Sequence, residues 1–243
     1  MPIMIMLSQS DRSPRLPSAS PFCLKLESWL RLAGLPYTLM EIHEQGSVSK
    51  RALPRVISES GRTMEGLRRV MLHIRSEART DPDAWLTTDE RVFAQAVGHL
   101  YADWLVPAMV WLGWVQEESW PGLRAVYLSQ EGQTLPAAAD PLRDHLSLRI
   151  GELALREDER EKVEELVLRE IESLADFLGS KPFFFGDQPS SVDCTLFALL
   201  VVSASAPETS PVAQFAQSSY RIGDYVRRMI ARLYPETQIQ AAA

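Results

Sequence analysis

Residues 18–37, reading SASPFCLKLESWLRLAGLPY, lie between two short apolar runs, and that arrangement limits what the chain can become. Residues 1–7 and 37–42 each read as a strand. Between them Ser20 and Pro21 open a helix, because serine caps free amides and proline is tolerated in the first turn. Leu24, Leu26, Leu30 and Leu32 follow at loosely helical spacing, and Gly34-Leu35-Pro36 ends the run. Ser20 and Cys23 therefore share one face of the first turn. A helix amino end stabilises anions through its free amides and its dipole. A thiolate placed there, on Cys23 or on a bound thiol near Ser20, gains stability. The same letters also fit a plain capping serine followed by a buried cysteine, and locally both readings stand.

The rest of the first 78 residues mixes short elements. Residues 9–19 and 44–52 read as loops, rich in polar residues. Residues 53–57 and 62–64 flank a turn at 58–61, giving strand, turn, strand, and Pro54 at the strand entry marks an edge or a special bend. Glu65-Gly66 then opens a helix to about residue 75, where an acid suits the dipole. Residues 76–88 read as a linker that ends in a helix start at Thr87–Glu90.

Beyond that point the pattern is helical. Val92, Phe93, Ala96, Val97, Leu100, Tyr101, Trp104 and Leu105 form one stripe within residues 90–114, which Pro107 should bend or restart. A helix is expected over 142–155. The clearest one spans 158–178, with Val163, Leu166, Val167, Ile171, Leu174 and Leu178 on its apolar face and Gly179 closing it. Ser190 and Asp193 have capping-box spacing before an apolar helix over 194–202, in which Cys194 is a core thiol. Shorter and longer helices are expected over 212–217 and 220–233, and the last residues read as a frayed tail.

Two of these stretches, SPFCLKLESWLRLAGLPYT and FFFGDQPSSVD, resemble the glutathione transferase superfamily, with wording nearest its failed-axon-connections-like and metaxin-like branch. The resemblance implies an α/β thioredoxin-like domain over 1–78, with a mixed four-stranded sheet and helices. A linker at 79–87, an all-α domain over 88–235 and a tail at 236–243 follow. It implies glutathione as cofactor. Ser20 occupies the position of the catalytic residue, and Cys23 is the alternative nucleophile. Ser20, Pro21, Leu53, Pro54, Glu65 and Gly66 would hold glutathione, with the backbone of Leu53 exposed by a cis bond to Pro54 and Glu65 taking the glutamyl ammonium. The family places a serine where this chain has Gly66. Tyr101, Trp104 and Trp111 would wall an apolar substrate cavity. The implied activity is conjugation, addition–elimination or isomerisation of a small electrophile, by a protein that forms a homodimer like many of its relatives. The altered Gly66 position and the 44–52 loop give an alternative, a non-catalytic interaction protein. The dense aromatics also fit a glutathione-independent enzyme or binder.

Composition narrows the partners. A net charge of −7 without a basic block argues against nucleic acid. The opening residues lack the basic start and long apolar core of an export signal. The apolar run at 104–115 is too short to span a membrane. Cys23 and Cys194 are too few for a disulfide scaffold and fit a reduced, cytoplasmic setting. His43, His73, His99 and His145 show no metal-ligand spacing.

Overall fold

The structure is a computed structural model that describes residues 5–9, 17–18, 20–41, 54–58, 61–78, 80–112, 155–204 and 210–236. Leu53, the loop expected at 44–52, all but the last residue of the helix expected at 142–155, and residues 237–243 of the tail lie outside the described residues.

Four strands, β1 (Ile5–Gln9), β2 (Tyr37–Glu41), β3 (Arg55–Ile57) and β4 (Thr63–Glu65), form one sheet in the order β2-β1-β3-β4. β1 and β2 run parallel, joined by helix α1 (Pro21–Leu32), whereas the β1–β3 and β3–β4 pairs are antiparallel. Helix α2 (Leu67–Glu77) follows β4. Ile5, Leu7, Val56 and Met64 of the sheet meet Leu24, Trp29, Leu30, Val70 and Ile74 of the two helices, all at most 2% exposed. Burying each such side chain contributes roughly 1.5–3 kcal/mol. The result is the expected mixed sheet with helices, followed by an all-helical part.

Three local expectations shift. Strand β3 begins at Arg55 rather than residue 53, with Pro54, which has no N–H to give a ladder, just before it. Glu65 is the last residue of β4, opposite Arg55, and is not part of the helix. Gly66 stands between strand and helix with φ +82°, a region that glycine enters without the Cβ penalty.

Helix α3 (Thr88–Leu100) opens with a full capping box between Thr87 and Glu90. It passes into a π-helical turn, Tyr101–Leu105, and then into α4 (Val106–Val110). The helix therefore runs on through Pro107 without restarting there. The wide turn lies directly before it, with the Val106 amide bonded to the Tyr101 carbonyl five residues back. Next among the described residues come α5 (Arg160–Leu178), α6 (Ser191–Ala204), α7 (Pro211–Ser218) and α8 (Tyr220–Leu233). Val163, Val167, Ile171, Leu174 and Leu178 bury the inner face of α5, but Leu166 is 43% exposed and falls off the expected stripe.

Helix α6 packs directly on α1, so the first helix belongs to both halves of the molecule. Two polar knots fix this seam. Asp83 accepts from the Ser191 amide at 2.7 Å and from the Ser191 hydroxyl. The fully buried Glu27 carboxylate of α1 accepts from Tyr37 Oη at 2.8 Å and from Arg31, whose other nitrogen reaches the Leu233 carbonyl at 2.8 Å. Tyr234, at the end of α8, lies 2.9 Å from the Ser28 hydroxyl and under the Arg31 guanidinium.

Candidate functional site

Ser20 is the N-cap of α1, with extended backbone (φ −87°, ψ 119°), and its Oγ accepts from the Cys23 amide at 3.4 Å. Its own amide donates to Ser18 Oγ at 3.2 Å. The side chain is half-buried, and accepting from Cys23 leaves the hydroxyl proton to donate elsewhere. Cys23 is 0% exposed, as is Cys194 in α6, and neither is in a disulfide. Burial, with the carboxylates of Asp193 and Asp83 adding to it, pushes the Cys194 thiol well up, so it stays protonated and inert.

A second helix amino end stands on the same sheet. Pro54 is buried and its carbonyl accepts the Gly66 amide at 3.0 Å, which ties the entry of β3 to the start of α2. Glu65, half-buried, sits across the ladder from Arg55. The N-cap of α2 is Gly66, which brings no side-chain cap to the first-turn amides. Pro54, Glu65 and Gly66 are thus brought together. Leu53 lies outside the described residues.

The three aromatics proposed to wall a cavity differ in position. Tyr101 is 1% exposed and Trp111 is 5% exposed, both within the core, while Trp104 is half-buried against it. Tyr101 does more than pack. Its Oη donates to the Pro21 carbonyl at 2.9 Å, and Phe22 meets its ring edge-on at 6.3 Å. Burial drives the Tyr101 phenol well above its usual range, so it is a donor at any working pH.

Sequence reasoning missed Lys25. Its ammonium lies 4.5 Å from the Tyr101 ring centroid, and burial pulls its pKa down to about 8, with Cys194 opposing the shift and Arg75 adding to it. A single charge between Leu24 and Leu26 on a helix buried against two layers is the signal that could have found it. Asp103 was missed as well. It pairs with Arg68 of the first turn of α2 at 3.2 Å and lies 3.3 Å from His99 Nδ1.

A hollow of about 470 Å³ on the outer surface is lined by Asp89, Glu90, Phe93, Phe177, Lys181 and Phe185 and contains none of these site residues. Lys181 already places its ammonium 4.0 Å from the Phe177 ring centroid there. Among the described residues no group of three or more His, Cys, Asp or Glu is placed to hold a metal, and no helix is long and apolar enough to cross a membrane.

Comparison with known proteins agrees with this fold. Residues 21–119 match the family model for the glutathione S-transferase N-terminal domain, and residues 167–229 match that for the C-terminal domain. The chain is 28% identical to Failed axon connections of Drosophila melanogaster over 212 residues, covering 81% of this chain and 49% of that protein. It is 22% identical to the isoprene-epoxide–glutathione S-transferase of Rhodococcus sp. (strain AD45), covering 88% and 92%. With human metaxin-1 it shares 24% identity, covering 79% and 42%. The chain thus spans about half the length of the Drosophila relative and less of human metaxin-1. Two solved glutathione S-transferases of Ceriporiopsis subvermispora in complex with glutathione share its fold, each at 14% identity. Their TM-scores are 0.61 and 0.58, covering 98% and 97% of this chain and 99% of each of theirs. With a mixed sheet, an all-helical second part and both family models matched in order, the chain belongs to the glutathione transferase superfamily.

Proposed function

We propose that the chain is a glutathione-dependent, transferase-like enzyme acting on a small electrophilic, largely apolar molecule by conjugation, addition–elimination or isomerisation. The observation that carries this reading is Ser20, a half-buried N-cap whose hydroxyl keeps a proton to donate beside the amino end of α1. Glutathione supplies the thiol. Ser20 and the first amides of α1 favour its ionised form, raising the fraction of nucleophile at working pH. Pro21 shapes that first turn, Pro54 sets the bend at which the Leu53 backbone would pair with the ligand as the family resemblance implies, Glu65 takes the glutamyl ammonium, and Gly66 with the amides after it takes the neighbouring carboxylate. Trp104 walls the substrate side, backed by the buried Tyr101 and Trp111. Holding thiol and electrophile together supplies the remaining gain. With its thiol enclosed, Cys23 packs the turn and leaves the nucleophile's part to the bound thiol.

The Rhodococcus relative is named for an epoxide, a small electrophile, and the two Ceriporiopsis structures are complexes with glutathione. Both lend support to the reading. Two buried cysteines, neither in a disulfide, support a reducing, cytoplasmic setting, and the habit of the family supports a homodimer.

The test is Ser20→Ala with glutathione and an epoxide as electrophile. Loss of one positioned donor to developing charge should lower kcat by about 10²–10³-fold with the fold intact. Unchanged turnover would remove Ser20 from the mechanism. A second reading, a non-catalytic interaction protein, is favoured by Gly66, which leaves the glutamyl end without the family's serine hydroxyl. Absence of any glutathione-dependent turnover in the unaltered chain would favour it. Turnover of an apolar ligand without glutathione would favour an enzyme that uses the aromatic wall alone.

A further inference from the structure

The π-helical turn Tyr101–Leu105 touches the amino ends of both helices that frame the candidate site. Tyr101 Oη reaches the Pro21 carbonyl, one residue past Ser20, at 2.9 Å. Two residues on, Asp103 reaches Arg68 in the first turn of α2, two residues past Gly66, at 3.2 Å. These contacts differ in character. Tyr101 is 1% exposed, and a buried phenol must find an acceptor. It is also packed by Phe22 edge-on and by Lys25 over its ring, so α1 encloses it from its first two turns. Asp103 and Arg68 are exposed, so their pairing is weaker and sensitive to salt. A π turn inserts one residue into a helix and re-aims the side chains on either side, and such turns recur at functional sites. Here it lets one short stretch of the second domain send a buried hydroxyl to α1 and an exposed carboxylate to α2.

We propose that this wide turn is a strut that sets the relative placement of the two helix amino ends. Tyr101 positions Ser20 through Pro21, and Asp103 positions the start of α2 through Arg68. Both are positioning residues, and their effect on turnover rests on the glutathione reading above.

The test pairs Tyr101→Phe with Asp103→Asn and has two readouts. Amide hydrogen exchange on the unliganded protein needs no activity. Tyr101→Phe should speed exchange of the Cys23 and Leu24 amides at least threefold with α2 unchanged. Asp103→Asn should speed exchange of the Val70 amide, which is bonded to the Gly66 carbonyl at 3.0 Å, with α1 unchanged. In glutathione turnover, Tyr101→Phe should lower kcat more than it raises KM, and Asp103→Asn should raise KM for glutathione with kcat kept. Wild-type exchange rates in both first turns would overturn the strut. So would a uniform rise that includes the core helix α6, which marks simple loss of stability. If the unaltered chain turns over no glutathione, the functional reading fails, and the exchange pattern alone decides the strut.

Discussion

The Lys25 ammonium lies 4.5 Å from the centre of the Tyr101 ring, across the seam between the two halves of the molecule. An ammonium over an aromatic face is attracted to it, but enclosure costs hydration, and burial wins here by pulling the pKa of Lys25 down to about 8. An unfolded lysine titrates near 10.4. Between these values the unfolded chain holds a proton that the folded chain has released. Stability from this group therefore rises as pH rises from about 8 to about 10.4. At neutral pH the full cost stands, about 3 kcal/mol at 1.36 kcal/mol per pKa unit. Denaturant unfolding of the wild type and of Lys25→Met at pH 7 and pH 10 checks this. The wild type should gain on the variant by about 2–3 kcal/mol at the higher pH, by the same linkage. An unchanged gap would contradict it.

Gly66 departs from the family's serine, and its backbone gives the reason. At φ +82° and ψ 134° a side chain would be strained. Gly66→Ser should lower stability by about 1–2 kcal/mol and should not tighten glutathione binding. Thermal unfolding and calorimetry on the same variant check both halves. A variant as stable as the parent, with higher affinity, would show that the serine is compatible with this turn.

Asp193 is buried and accepts from four groups: the Ser190 amide at 2.7 Å, the Ser190 hydroxyl at 2.8 Å, the Phe184 amide at 2.8 Å and Tyr225 Oη at 3.2 Å. Burial still raises its pKa. Asp193→Ala strips the Ser190 amide, the Ser190 hydroxyl and the Phe184 amide of their acceptor, while Tyr225 Oη keeps the residue's backbone carbonyl at 3.0 Å, and each buried orphan costs about 1–3 kcal/mol. The denaturation midpoint should fall by the equivalent of about 3 kcal/mol or more, with the slope kept. Turnover per folded molecule should not change, since Asp193 holds the 183–186 turn and α6 together and makes no contact with Ser20, Glu65 or Gly66.

Much of the frame is legible in the residues themselves. Ser20-Pro21 and Gly34 bracket α1 by cap and stop chemistry, which depends on neighbours in sequence, and Thr87/Glu90 and Ser190/Asp193 mark helix starts for the same reason. The misses share a different cause. Periodicity says that Tyr101 turns inward but not that its hydroxyl meets Pro21, 80 residues earlier. A π turn differs from an α turn by a single residue, so the stripe through Trp104 and Pro107 does not announce it. Lys25 reads as an ordinary surface lysine until α6 is known to cover α1. The positive φ of Gly66 is likewise set by the junction of β4 and α2, which the pair Glu65-Gly66 alone does not reveal.

If two helix amino ends, at Ser20 and at Gly66, together accept glutathione, titration calorimetry of the whole chain will register it. Binding should fall in the micromolar to low-millimolar range (about −8 to −4 kcal/mol), lost in Glu65→Ala and kept in Cys194→Ala. No heat of binding at about 10 mM glutathione, which would place any affinity weaker than about −3 kcal/mol, would contradict it.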